Sequence, residues 1–294
     1  MTYSGREYLF TQGDAEQQRL LAQGQLLDPI TQRLLETAGL RPGSRVLDLG
    51  SGSGNVSMLA AQLVGPEGSV VGVDRNAIAA SRSQKYFSAM GIDNVEFRAA
   101  DVQTLDGVED GFDAVVGRLV YMYLEDPTEA LRRAATRVRP GGLICLQEPD
   151  MSYWWSAPET PLWRQIYDWF QETMRRAKIE PRMGHALFST FTGAGLPNPE
   201  MNLESRVWGG EQMPTYGWAD VVIGALPLME KLGVVTAAEV DPDTLGDRLH
   251  AELVEADGVM ITGPLVGAWA ERPTEMPPET AVRASNASTS VSPR

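Results

Sequence analysis

The sequence predicts an α/β fold: a doubly wound, mostly parallel sheet covered by helices on both faces. Three observations predict it. Short apolar runs alternate with longer mixed segments, some of those runs are apolar without interruption, and a glycine-rich segment follows the first of them. Strands buried on both faces read as continuous apolar stretches, and Val70-Val71-Gly72-Val73 is one. Parallel neighbours need long crossovers, and a β-α-β-α cadence supplies a helix for each.

The elements follow in order. Residues of about 14–39 read as one or two helices, with Asp28 as an N-cap and Pro29 at a first helical position. Arg41-Pro42-Gly43-Ser44 ends that pattern. Strands are then expected at Arg45–Leu49, Ser69–Asp74, Val95–Ala99, Phe112–Val116 and Gly142–Gln147, with helices near 55–64, 76–90 and 127–138. After Pro149 the cadence changes. Trp163, Ile166, Tyr167, Phe170 and Met174 recur at helical spacing and predict a helix from Pro161 to Lys178 with Thr160 as N-cap. A strand near Glu200–Trp208, a partly helical insertion at about 211–257 and a strand at Val259–Trp269 complete a seven-stranded sheet. Beyond Arg272 the Pro/Thr/Ser/Ala-rich tail has almost nothing to bury and reads as disordered. The expected parts are an N-terminal helical lid (1–40), a core (41–150), a substrate-binding part (151–271) and the tail (272–294).

Composition narrows the function. A net charge of −14 opposes the counterion release on which nucleic-acid binding depends, so no nucleic-acid partner is expected. No uncharged apolar run reaches the roughly 18 residues of a membrane span. Residues 1–7 lack the basic-then-apolar layout of a signal peptide, and a cytoplasmic protein, monomer or homodimer, is expected. The only cysteine is Cys145 and the only histidines are His185 and His250, which argues against a disulfide framework and a metal centre.

The stretch Val46-Leu47-Asp48-Leu49-Gly50-Ser51-Gly52-Ser53-Gly54 takes a strand into a glycine-rich turn that opens a helix. Doubly wound sheets bind their ligands at such turns. A dinucleotide fingerprint would need glycine at 55 or 57, where Asn55 and Ser57 stand, and no Gly-Lys pair offers a phosphate-binding loop. The remaining pattern, Gly-x-Gly-x-Gly after an Asp-bearing strand, resembles the first motif of class I S-adenosylmethionine-dependent methyltransferases. Asp74 at the end of the next strand, Ala99-Ala100-Asp101-Val102 after the third, Phe112–Gly117 and Arg139-Pro140-Gly141-Gly142 resemble later motifs of that family in the same order.

The resemblance implies a Rossmann-like fold and S-adenosyl-L-methionine as cofactor. It implies a cofactor set of Asp48, Gly50, Ser51, Gly52, Asp74, Arg75, Ala100, Asp101, Val102, Gly117 and Arg118. In that set the loop amides and helix dipole meet the methionine carboxylate, Asp74 accepts the ribose hydroxyls, and Asp101 accepts the adenine amino group. The flanks resemble stand-alone microbial enzymes that methylate small metabolites, some of them at indole C3. Arg19, Gln23, Gly117-Arg118-Leu119-Val120 and Gln147-Glu148-Pro149-Asp150 carry that narrower likeness.

Candidate substrate and catalytic residues lie at the ends of the fourth and fifth strands. Arg118 is read either as an anchor for a carboxylate or as a brace for the loops, and Glu148 as a base, an orienting acceptor or part of that brace. Tyr8, Arg19, Gln23, Glu148, Trp154 and Trp155 are the substrate-binding candidates; aromatic faces stack on flat substrates and stabilise cations. His185 reads as a base or as a residue that caps or packs a helix, and His250 as part of a solvated helix face. The Gly117-Arg118-Leu119 segment lacks the Asn/Asp-Pro-Pro-Tyr/Phe pattern of DNA and amide N-methyltransferases, and Arg118 stands where catechol-type enzymes hold a magnesium-binding carboxylate. The expected function is methyl transfer to a small organic acceptor, aromatic or indole-containing. The alternatives are a protein methyltransferase and a cofactor-binding protein of the same fold that does not methylate.

Overall fold

The structure, a computed structural model, describes residues 8–9, 14–210, 212, 214 and 217–277. In chain order its elements are α1 (Asp14–Thr37), β1 (Arg45–Leu49), α2 (Asn55–Val64), β2 (Ser69–Asp74), α3 (Ala77–Ala89), β3 (Val95–Ala99), β4 (Phe112–Arg118), a 3-10 turn (Tyr121–Tyr123), α4 (Pro127–Arg137) and β5 (Val138–Pro149). There follow β6 (Ser156–Ala157), α5 (Pro161–Ala177), α6 (Met183–Gly193), β7 (Glu200–Glu204), β8 (Val207–Gly209), α7 (Trp218–Lys231), α8 (Ala237–Val240), α9 (Leu245–Glu255), β9 (Val259–Ile261) and β10 (Leu265–Glu271). The chain divides into two compact units. Among the described residues, one comprises 31–148, 184–202 and 267–277; the other comprises those up to Ile30 and those within 149–183 and 203–266.

The first unit is built on a seven-stranded sheet of order β3-β2-β1-β4-β5-β10-β7. Strands β3, β2, β1, β4 and β5 run parallel, with Asp48 opposite Gly72 and Val116, and Leu49 opposite Val73 and Gly117. The strand order reverses between β1 and β4, and the crevice of a Rossmann-like sheet opens at the carboxyl ends of those two strands. One core cluster joins Val46 of β1, Val56, Leu59 and Val64 of α2, Val70 of β2, Phe87 of α3, Phe97 of β3 and Cys145 of β5. Phe87 and Phe97 meet edge to face, ring centres 4.8 Å apart.

β1, β2 and β3 lie where the sequence puts them. β4 extends to Arg118, because Gly117 and Arg118 still find partners in Leu146 and Gln147. β5 starts at Val138, ahead of the expected Gly142. Val138 already pairs with Phe112, and a register shift before Ala114 absorbs the Arg139-Pro140-Gly141 segment. Arg272 closes this edge, exchanging backbone hydrogen bonds of 2.8 Å with Gly141 and Gly142.

α1 corrects one expectation. Pro29 does not open a helix after an Asp28 cap; it lies inside a continuous helix. An interior proline costs roughly 3 kcal/mol in a helix. Leu26 and Leu27 before it and Ile30, Leu34 and Leu35 after it are all buried. At about 1.5–3 kcal/mol for each such side chain, their burial outweighs the cost.

The second unit holds a small sheet of order β6-β9-β8, both pairings antiparallel, with α5, α7, α8 and α9. Its core is aromatic. Trp155 stacks on Trp218 at 3.6 Å with the rings 5° from parallel, and Phe170 and Tyr167 each meet Trp155 edge on. On α5, Trp163, Ile166, Phe170 and Met174 are buried as their spacing predicts, and the Trp163 indole donates to the Leu249 carbonyl at 3.0 Å. Thr160 holds the N-cap position without capping through its side chain. Its hydroxyl donates to Glu252 of α9, and the same carboxylate accepts the Leu162 amide at 3.1 Å. A distant carboxylate replaces the local cap because it satisfies hydroxyl and helix amide together.

Two expected strands are each divided. The Glu200–Trp208 run breaks at Ser205-Arg206, so β7 belongs to the large sheet and β8 to the small one. The break is held by Thr262, whose carbonyl accepts the Ser205 hydroxyl at 2.6 Å and whose hydroxyl accepts the Arg206 amide at 2.9 Å. The Val259–Trp269 run breaks at Gly263-Pro264, where proline offers no amide to continue a ladder. The disordered-tail expectation falls for residues 278–294 outside the described residues. No described helix is long and apolar enough to cross a membrane.

Candidate active site

The turn between β1 and α2 is built by glycines with backbone φ of +64° at Gly50, +51° at Gly52 and +86° at Gly54. Side chains are excluded at two of them by more than φ. A Cβ on Gly50 would come within 2.6 Å of Val120, and one on Gly54 within 2.7 Å of Phe87 and 2.8 Å of Phe97. The first turn of α2 carries no acidic residue, so no carboxylate of its own compensates the positive end of its dipole.

Two carboxylates flank this turn. Asp74, at the end of β2, accepts the Gly52 amide at 3.0 Å and the Asn76 amide at 2.8 Å, one on each oxygen. Each oxygen keeps a further lone pair for a ligand hydroxyl. Asp48 on β1 is buried, and burial pushes its carboxyl up to about 7, against the Ser57 hydrogen bond and the Arg118 charge. The Ser57 hydroxyl donates to one oxygen at 2.6 Å, while the other, Oδ1, has no partner. The Ser51 hydroxyl is likewise buried without a partner. An orphaned acceptor and an orphaned hydroxyl beside a glycine turn fit the ammonium and carboxylate of an amino-acid ligand.

The third strand's end is tied to the second: the Ala100 amide donates to the Asp74 carbonyl at 3.0 Å. Asp101 is exposed and accepts the Gln103 amide at 2.8 Å, and Val102 is buried. Arg75 is exposed, and Gly117 lies between Leu49 and Leu146 in the sheet.

At the ends of β4 and β5 the side chains form a connected set. Arg118 donates to the Thr31 hydroxyl at 2.7 Å, which donates to Gln147 at 2.7 Å. Glu148 is fully buried. One of its oxygens accepts the amides of Val120 and Tyr121 at 2.9 and 2.8 Å, and the other accepts Met122 at 3.3 Å. Burial pushes its carboxyl up to about 7 despite those three hydrogen bonds. Asp150 accepts the Ser152 amide at 2.8 Å and its hydroxyl at 2.5 Å.

The structure thus brings Asp48, Gly50, Ser51, Gly52, Asp74 and Ala100 around one turn, with Arg118 close enough to act on Asp48 by charge. Tyr8, Arg19, Gln23, Trp154 and Trp155 belong to the other unit. Trp154 is 63% exposed there, whereas Trp155 is buried with its indole N–H unpartnered. Tyr8, Arg19 and Gln23 are partly buried. His185 is exposed on α6, and a ring nitrogen of His250 lies 3.0 Å from the Gly210 carbonyl. Tyr216, another aromatic of the second half, lies outside the described residues. No described group of three or more His, Cys, Asp or Glu could hold a metal ion. Cys145 is buried with its thiol pushed up to about 12, so it is not a nucleophile.

The sequence gives no role to Thr31 or Ser57, and it names Val120 only within the Gly117–Val120 likeness. Thr31 sits mid-helix among apolar residues, and Val120 reads as ordinary core. Thr31 gains its role from Gln147 and Arg118, far off in the chain, and Ser57 from Asp48 across the glycine turn.

The sheet order, the glycine turn after β1 and the acid closing β2 define the class I methyltransferase fold. Residues 40–208, more than half of the chain, match a family described as a methyltransferase domain, and the chain belongs to that family. Over 136 residues it is 32% identical to a ubiquinone/menaquinone biosynthesis C-methyltransferase, UbiE, of Hahella chejuensis, covering 46% of this chain and 52% of that one. Over 115 residues it is 39% identical to an arsenite methyltransferase of Aquipseudomonas alcaligenes, covering 37% and 33%. The chain therefore spans about half or less of the length of these curated relatives. The crystal structure of the cyclase SpnF shares the fold at 16% identity and a TM-score of 0.52, over 85% of this chain and 83% of that one.

Proposed function

We propose that this protein transfers the methyl group of S-adenosylmethionine to a small organic acceptor in specialised metabolism. One observation carries the reading: Asp74 is tied through the Gly52 amide to a glycine turn that has two orphaned buried oxygens beside it. When bound, the cofactor supplies an electrophilic methyl group on a sulfonium. The chain's residues bind and orient. Asp74 offers its free lone pairs to the ribose hydroxyls, and Asp101 takes the adenine amino group, with Ala100 and Val102 alongside. The α2 amino end with Ser51 receives the methionine carboxylate, and Asp48 Oδ1 receives the ammonium. Arg75 and Gly117 complete the set.

In-line methyl transfer is accelerated chiefly by alignment and exclusion of water. Arg118, braced by Thr31 and Gln147, anchors an acidic group of substrate or cofactor. Trp154, with Tyr8, Arg19 and Gln23, provides contacts for an aromatic or indole-containing acceptor. The ubiquinone/menaquinone biosynthesis relative, a C-methyltransferase by name, supports a carbon acceptor. The arsenite relative's substrate does not carry over, because arsenic(III) seeks thiolates and the only cysteine here is buried.

The test incubates purified protein with isotope-labelled S-adenosylmethionine and an indole-rich small-molecule library, read by mass spectrometry. Calorimetry with S-adenosylhomocysteine compares wild type with Asp74→Ala. A labelled small product is expected, with binding weakened about 10–100-fold in the variant, as for a lost hydrogen bond to a charged group. Binding without any labelled product, from small molecules or added protein, would replace this reading with a cofactor-binding protein of the same fold. Absence of binding at millimolar ligand would overturn the cofactor assignment.

A further inference from the structure

We infer that Glu148 is a positioning residue for the cofactor turn, holding the 119–122 segment so that Val120 buttresses Gly50. The inference rests on the reading of residues 50–54 as the cofactor turn.

The segment after β4 is irregular. Leu119 has φ of +58°, a left-handed conformation that is unfavourable for a non-glycine residue and persists only where its surroundings hold it. The end of β5 supplies that hold. The Leu119 amide donates to the Gln147 carbonyl at 3.0 Å, and the next three amides all donate to the Glu148 carboxylate. Four successive amides are thus gathered by two consecutive residues of one strand. Val120, the first residue held by the carboxylate, has its Cγ2 2.6 Å from where a Cβ would stand on Gly50. Only glycine at position 50 therefore lets the turn pack directly against the clamped segment.

The same geometry separates this role from that of a general base. A base must reach the proton it takes. Glu148 has no exposed surface, and its two oxygens already serve three amides. Removing the carboxylate releases the amides, frees Val120 and loosens the turn beside Gly50.

The experiment measures S-adenosylhomocysteine affinity and amide hydrogen exchange for wild type, Glu148→Gln, Glu148→Ala, Val120→Ala and the Glu148→Ala/Val120→Ala double variant. Glutamine retains one carbonyl oxygen for Val120 and Tyr121 and loses the acceptor for Met122. The expected result is graded. Glu148→Ala weakens binding by about tenfold or more, and Glu148→Gln restores most of it. Exchange at residues 119–122 rises in the alanine variant, whereas glutamine exposes Met122 alone. Val120→Ala weakens binding too, and the double variant binds no worse than the worse single one, because the two act in series. If Glu148→Ala does not fold, the exchange of Met122 in Glu148→Gln and the affinity of Val120→Ala carry the test. Wild-type affinity in Glu148→Ala, full additivity with Val120→Ala, or unchanged exchange at Met122 in Glu148→Gln overturns the assignment. A wild-type protein that does not bind S-adenosylhomocysteine overturns the cofactor reading itself, which separates the two failures.

Discussion

The two units of this chain are specified in opposite ways. In the sheet unit the elements around the glycine turn come from one stretch, residues 45–118, and each strand feeds the next. In the other unit the central contact is the stack of Trp155 on Trp218, two residues separated by the whole of α5, α6, β7 and β8. A site made by local turns can be read along the chain, because its chemistry sits in the motif. A core made by distant aromatic rings cannot, because neither ring announces its partner.

That contrast is open to test, the largest effect first. Trp218→Ala removes a ring stacked face to face in a buried cluster and is expected to cost about 3–5 kcal/mol in chemical denaturation. Amide exchange should rise in residues 149–183 and 203–266 and leave the amides around Gly52 and Asp74 protected. Equal loss in both units would break the comparison.

Acidity gives the next effect. Asp48 has a folded value of about 7 against an ordinary 3.8, and Glu148 about 7 against 4.5, both raised by burial. The folded protein therefore keeps protons that the unfolded chain releases. The corresponding stability is fully present below about pH 4 and is lost as the pH rises through about 7. Its size is on the order of a few kcal/mol. Asp48→Asn should flatten that slope in denaturation series between pH 4 and 8. An unchanged slope would sink the assignment to Asp48.

Gly54→Ala sharpens the comparison from the sheet side. Its methyl group would press on Phe87 and Phe97 in a left-handed position, and a loss of about 1–3 kcal/mol in denaturation midpoint analysis is expected. Smallest is Glu252→Ala, which deprives Thr160 and the Leu162 amide of their acceptor. It should cost about 1 kcal/mol, as for a lost helix cap, with Glu252→Gln close to wild type in thermal melting.

Much of the first unit was legible. The pattern locates β1, β2 and β3 to the residue: β1 and β2 are runs buried on both faces, and β3, at the sheet edge, alternates buried Val95 and Phe97 with exposed Glu96. β4 and β5 run past the ends that apolarity predicts: pairing with Leu146 and Gln147 carries Gly117 and Arg118 into the sheet, and β5 continues to Pro149. The local rule makes Pro29 a helix start, and burial on either side of it prevails within α1. Glu148 was singled out as a carboxylate at a strand end, but its engagement with three amides of a segment about 26 residues earlier has no sequence signal.

The sequence by itself determined the class of fold, the glycine turn and the acids that flank it, because strand burial and left-handed turns act through the identity of neighbouring residues. Tertiary structure alone decided which groups are orphaned, clamped or stacked: the free oxygen of Asp48, the hold of Glu148 on the 120–122 turn, the cap that Glu252 lends to α5, and the pairing of Trp155 with Trp218. Those outcomes depend on which distant group arrives at hydrogen-bonding or stacking distance, and on the water it displaces, and neither quantity is written at a single position of the chain.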